Sequence, residues 1–346
     1  MIRFRAADGN FTVEMYRQLR ESDKNIFYSP ISMITALGML QLGAKGNTEK
    51  QIEKVLQFNE TTKKTTEKTS HCHTFLEDIK EYYQANVESL DFESAAEESE
   101  KKINSWVESQ TNGKIKDLFP SGSLSSSTVL ILVNAVYFKG QWNHKFDEKR
   151  TREEKFWLNK NTSKPVQMMK QRNKFNFSFL GDVQAQIVEI PYKGKELSMI
   201  VLLPVEIDGL KKLEEQLTAD KLLEWIKAEN MHMTELYLSL PRFKVEEKYD
   251  LRVPLKHMGM VDAFDPQKAD FSGMSSIPGL VVSKVLHKSF VEVNEEGTEA
   301  AAATGVEVSS RSAQIAEDFC CDHPFIFFII HRMTNNIHFF GRIFSP

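Results

Sequence analysis

The chain has few cysteines, no long apolar run and no strong excess of one charge. Cys72, Cys320 and Cys321 are the only three in 346 residues. They cannot form a disulfide framework, and they fit a reducing compartment better than secretion. The longest apolar run, Phe325 to Ile330, is far too short to cross a bilayer. Met1 to Asn10 contains no unbroken apolar segment, so no secretory signal is expected. The sequons at Asn10, Asn59, Asn161 and Asn176 are accordingly expected to stay unmodified. Lys and Arg number 44 against 48 Asp and Glu, a net charge of −4. That balance argues against a nucleic-acid partner, whose backbone calls for a strong positive field. What is present is ample apolar content, 41%, which excludes disorder and lets the chain bury a large core.

Catalytic signatures are also missing. The sequence has no G-x-G-x-x-G, P-loop, H-E-x-x-H, C-x-x-C or G-x-S-x-G. His71-Cys72-His73 could hold a metal, but three adjacent residues cannot easily face one ion and no partner cluster accompanies them. Cys320-Cys321-Asp322-His323 invites a thiol-catalysis reading, yet cysteine here reads better as a small hydrophobe before the run Phe325–Ile330. No enzyme activity, catalytic residue, metal or cofactor is expected.

Periodicity predicts helices over 11–22, 31–44, 74–86 and 95–110, with Ile103, Trp106 and Val107 facing inward in the last. Thr48 to Leu56 reads as a short helix capped by Thr48 with Gln51 three residues on. Further helices are expected at 209–217, 219–228 and 248–258. Strands are expected at Val87–Phe92, Phe175–Phe179, Gln186–Glu189, Met199–Leu203, Glu235–Leu240, Val281–Val285 and Phe325–Ile330. Val129–Val133 is a continuous apolar run, the mark of a strand covered on both faces. Strands and helices do not alternate strictly, so the class is α+β.

One segment is unlike an ordinary loop. Residues 295–321 follow the strand-like Ser289–Val293 and precede Phe325–Ile330. Connections longer than about 15 residues within a domain are usually functional or disordered. At period two, Thr298, Ala300, Ala302, Thr304, Val306 and Val308 fall on one side, and Glu299, Ala301, Ala303, Gly305 and Glu307 on the other. This is the pattern of a strand with one buried face, and its first side chains are almost all small enough to slide between existing strands. The bland alternative is a solvent-exposed helix or a flexible linker. Beyond it lies Arg311-Ser312, a bond suited to a trypsin-like protease whose pocket holds a carboxylate.

These residues resemble the serpin family. Glu295-Glu296-Gly297-Thr298-Glu299-Ala300-Ala301-Ala302-Ala303-Thr304 is similar to the hinge of inhibitory serpins. Phe319 to Ile329 is similar to the family signature downstream of the reactive loop. Asn25–Ser32, Asn134–Trp142 and Leu240–Lys244 resemble other serpin blocks. The absence of a signal peptide and the ending Gly341–Pro346 resemble the ovalbumin-like intracellular branch (clade B), and within it the squamous cell carcinoma antigen group.

The resemblance implies a single domain over 1–346 with three β-sheets, about eight or nine helices and an exposed reactive loop near 295–321. It implies a cytoplasmic monomer, possible also in the extracellular space by non-classical release, whose partner is a target endopeptidase. The protease attacks Arg311-Ser312 and forms an acyl-enzyme. The cut loop then enters the large sheet as a new strand and deforms the protease; serpin loop insertion is a standing example of stored strain being released, and the step is taken over from the family. Papain-like cysteine proteases are an alternative target, and a non-inhibitory form acting by binding a second alternative. Ser29, Ser32, Asn134 and His287 match the polar cluster under the opening sheet, and Trp142 and Glu295 the region where insertion begins. On their own, the same residues would be a core histidine with its partners, a buried aromatic and a solvated charge. Insertion of about ten residues adds about ten backbone hydrogen bonds at roughly 0.5–1.5 kcal/mol each, which rivals the stability of a whole domain. The chain departs from the family at His73-Thr74, where a helix and a central strand of the large sheet are missing. Val87–Phe92 then either re-pairs with Val129–Val133 or leaves an open sheet edge.

Overall fold

A computed structural model describes residues 2–20, 23–57, 75–83, 85, 87–275, 278–298 and 316–346. These contain eight α-helices: α1 (Ile2–Leu19), α2 (Pro30–Gly43), α3 (Gly46–Leu56), α4 (Phe75–Tyr83), α5 (Ala96–Gln110), α6 (Leu210–Gln216), α7 (Ala219–Trp225) and α8 (Arg252–His257). The strands are β1 (Ile26–Tyr28), β2 (Leu130–Phe138), β3 (Gly140–Gln141), β4 (Arg152–Asn159), β5 (Thr162–Leu180), β6 (Ala185–Pro191), β7 (Leu197–Pro204), β8 (His232–Pro241), β9 (Phe243–Asp250), β10 (Val282–Val293), β11 (Gly297–Thr298), β12 (Glu317–Cys320), β13 (Phe325–His331) and β14 (Asn336–Ile343). Helices and strands are unevenly interleaved, as an α+β chain requires. They fall into two compact units, one of Met1–Leu19, Ser29–Tyr137 and Glu247–Ser289, the other of Arg20–Tyr28, Phe138–Glu246 and Phe290–Pro346.

The first unit holds α1 to α5, α8 and the greater part of a three-stranded sheet in the order β2-β10-β9, whose strand ends Phe138, Phe243–Glu246 and Phe290–Val293 are assigned to the second. Helix α1 buries Phe11 and Met15 at helical spacing and begins at Ile2, nine residues before the expected start. Ser29 caps α2 by accepting the Ser32 N–H at 3.3 Å, with Pro30 at the first helical position. The capping box expected at Thr48 does not form. Helix α3 starts at Gly46, and Thr48 Oγ1 instead accepts the Asp270 N–H at 3.0 Å. Gln51 Oε1 accepts the N–H groups of Val261 and Asp262, both at 2.8 Å. The two side chains therefore fasten α3 to a neighbouring loop, where orphan backbone donors compete successfully for them. In α5, Val107 is buried but Trp106 is 46% exposed, against expectation.

Three other expectations fail here. Val87–Phe92 is irregular rather than a strand. It is fastened to α5 by a Lys102–Glu88 ion pair at 2.8 Å and by Ser99 Oγ donating to the Asp91 carbonyl at 3.0 Å. Residues 248–250 end β9 rather than opening a helix. The run Val129–Val133 is not covered on both faces: Val129 is 40% exposed and Leu130 to Tyr137 are half-buried. The reason is positional, because among the described residues β2 has β10 on one side and no strand on the other.

The second unit is organised by a nine-stranded sheet in the order β1-β14-β13-β7-β6-β5-β8-β12, with β4 also paired to β5. Strand β13 runs antiparallel to β14 and β7 and buries Phe325 to Ile330 completely. Phe327 stacks on Phe27 at 5.8 Å and lies 5.4 Å from Phe243. A two-stranded ladder, β3 with β11, completes this unit.

Candidate functional site

Ser29, Ser32, Asn134 and His287 come together in the first unit as one chain of hydrogen bonds. The Ser29 backbone N–H donates to His287 Nε2 at 3.1 Å. An amide N–H can only donate, so Nε2 is the acceptor and the ring proton sits on Nδ1. Nδ1 lies 2.6 Å from Asn134 Oδ1 and donates to it. Asn134 Nδ2 in turn donates to Ser32 Oγ at 2.6 Å and to the Ser32 carbonyl at 3.2 Å. The chain thus ties the start of α2 to β2 and β10. His287 is fully buried, and burial pushes its pKa down to about 3. The ring is therefore neutral at ordinary pH, as the hydrogen-bond pattern requires.

Trp142 and Glu295 come together in the second unit, at the turn that follows β10. Asn294 and Gly297 exchange backbone hydrogen bonds at 2.9 and 3.2 Å, enclosing Glu295 and Glu296 in a tight turn. After the turn, Gly297 pairs with Gln141 and Thr298 with Gly140, antiparallel. Gly297 has φ +134°, and a Cβ there would lie 2.2 Å from the Gly140 carbonyl oxygen. Only glycine permits both the backbone angle and that approach. Trp142 is buried, stacks on Tyr192 at 4.6 Å and donates its indole N–H to the Asn294 carbonyl at 2.9 Å. Its backbone N–H donates to the Glu296 carbonyl at 3.0 Å.

Glu295 is not a solvated charge: it is 3% exposed. Arg242 donates to both its carboxylate oxygens from Nε, at 2.8 and 2.7 Å, and from Nη2 at 2.6 Å. Thr151 Oγ1 donates to it as well. Burial raises the carboxyl pKa, but these hydrogen bonds outweigh it and hold the group below the usual carboxylate range. Lys145 forms an ion pair with Glu296. Arg242, Thr151, Lys145 and Tyr192 were not singled out from sequence. Only Arg242 carried a signal, as part of the block Leu240–Lys244.

Glu299, Ala300, Ala301, Ala302, Ala303, Thr304, Arg311 and Ser312 lie outside the described residues, as do His71-Cys72-His73 and the juncture at His73-Thr74. Cys321 is fully buried, and burial raises both thiol pKa values, that of Cys320 to about 11. His323 is held between Asp322 and the Pro204 carbonyl, each at 2.7 Å. Both thiols are poor nucleophiles, and the segment serves packing.

A family model described as serpin (serine protease inhibitor) matches residues 6–74 and 65–346. The chain belongs to the serpin family. Human Serpin B4 is 54% identical over 387 aligned residues, covering 98% of both chains. The horse leukocyte elastase inhibitor is 44% identical, again over 98% of each chain. Among solved structures, uncleaved ovalbumin superposes with a TM-score of 0.88 at 35% identity and 99% coverage of each. This serpin has 346 residues against an alignment of 387, so at least 41 positions of the Serpin B4 alignment have no residue here. The family match breaks at residues 65–74, the stretch that contains His73-Thr74.

Proposed function

We propose that this serpin inhibits trypsin-like serine endopeptidases as a suicide substrate, cleaved at Arg311-Ser312. Counting by the family's loop spacing from Gly297 puts the bait at Arg311, and the arginine side chain suits a pocket that holds a carboxylate. The observation that carries the reading is the start of the hinge. Gly297 and Thr298 already lie as a strand on Gly140-Gln141, directly after β2. The chain beyond Thr298 needs only to extend that pairing, and its methyl-sized side chains offer little steric resistance. Glu295 and Glu296, held by Arg242 and Lys145, anchor the turn from which such a strand would grow. The expected role is cytoplasmic, and the chain acts as an inhibitor rather than an enzyme. Incubation with trypsin-like proteases should yield a covalent complex that survives SDS. Cleavage with release of active protease contradicts the proposal; a complex formed only with papain-like enzymes moves the target class to cysteine proteases.

One observation favours a second reading, a non-inhibitory serpin that acts by binding. At least 41 positions are missing, and Val87–Phe92 forms no strand in the sheet that would receive the loop. Under this reading the loop is cut without gain in stability.

A further inference from the structure

We infer that the open edge of β2 is a self-association surface, and that two copies of this chain pair there antiparallel about a twofold axis at Asn134. The inference is independent of the target protease. Among the described residues, β2 is the last strand of the order β2-β10-β9, with its outer side unpaired. Edge strands that face solvent are ordinarily blunted by lysine, proline or a bulge. Leu130-Ile131-Leu132-Val133-Asn134-Ala135-Val136-Tyr137-Phe138 contains no charge and no proline, and Leu130 to Tyr137 are only half-buried along their whole length. The strand is composed as an interior one. The chain also lacks at least 41 positions of the relative's alignment, and the family match breaks within the same unit.

A second copy is the occupant that this sequence fits. Antiparallel pairing centred on Asn134 sets Ile131 opposite Tyr137 of the other copy, Leu132 opposite Val136, and Val133 opposite Ala135. Aliphatic–aromatic and aliphatic–aliphatic pairs directly across strands are the favourable ones, and no like charges meet. The contact is isologous, so it closes at two copies rather than growing. Parity separates the two faces of the strand. Asn134 points to His287, so Leu132 and Val136 share its face while Ile131, Val133 and Tyr137 lie on the other.

Sedimentation velocity of the intact chain across a concentration series tests this. A species of twice the chain mass is expected. Ile131→Lys should weaken association about tenfold or more, and so should Tyr137→Glu, whose carboxylate can still accept the Asn112 side-chain N–H. Mixing the two variants should restore a heterodimer, because the new charges face each other across the axis. That rescue also shows that both variants fold. Met333→Lys, at a site 80% exposed in the other unit, should leave the dimer intact. A monomer at every concentration overturns the inference. So does a dimer that ignores Ile131→Lys, a failure of the mixed variants to pair, or a ladder of larger oligomers.

Discussion

Two apolar runs of nearly the same character meet different fates in this molecule. Phe325 to Ile330 lies in β13, between β14 and β7, and is wholly buried. Val129 to Val133 enters β2, at the end of a three-stranded sheet, where Val129 is exposed and Leu130 to Val133 are only half-buried. A continuous apolar run therefore declares a need for cover on both faces, but topology decides whether the cover is there. In β13 the need is met by neighbours from four stretches of sequence. In β2 it is met on one side only, by β10, and among the described residues no strand lies on the other.

Substitutions test the difference between the two runs. Phe327→Ala removes a fully buried ring that touches Phe27 and Phe243, and should cost about 3–5 kcal/mol in urea unfolding. Gly297→Ala forces a Cβ against the Gly140 carbonyl at a φ of +134°, and should cost about 1–3 kcal/mol or detach the hinge from β3. Slower formation of the covalent complex is the readout that separates the second outcome from mere destabilisation.

The polar chain beneath β2 and β10 gives a pH test. His287 titrates near 6.5 when unfolded and about 3 when folded. Between those values the unfolded chain holds a proton that the native state does not. The contribution is complete above about pH 6.5 and is lost as pH falls toward 3, by up to about 1.4 kcal/mol per pH unit. His287→Asn should flatten that slope in melts between pH 6 and 4. The smallest effect belongs to the open edge. Val133→Ala, at a half-buried position, should cost below about 1 kcal/mol, and a cost matching that of Phe327→Ala would erase the distinction between the two runs.

Much of the fold was legible because the sheet-forming runs and the first helices carry clean periodicity. Ser29, Ser32, Asn134 and His287 were named together from family resemblance, and their hydrogen bonds follow from one ring tautomer. The misreadings share a cause. Thr48 and Gln51 fit a capping box, but backbone donors 210 and more residues away took their side chains. Glu295 looks like any surface glutamate until Arg242, 53 residues earlier, is placed against it. Trp106 has the spacing of an inward residue, and Val87–Phe92 the alternation of a strand. Both depend on what the rest of the chain packs against them. Local pattern reports the demand of a segment, and only tertiary structure reports the supply.

Inhibition of the proposed kind requires the hinge to extend its pairing from Gly140-Gln141 into the sheet once the loop is cut. The most direct test is thermal unfolding before and after a single cut at Arg311-Ser312. A marked rise in melting temperature on cleavage is the predicted result; a nicked chain that melts at the same temperature as the intact one, or lower, contradicts it.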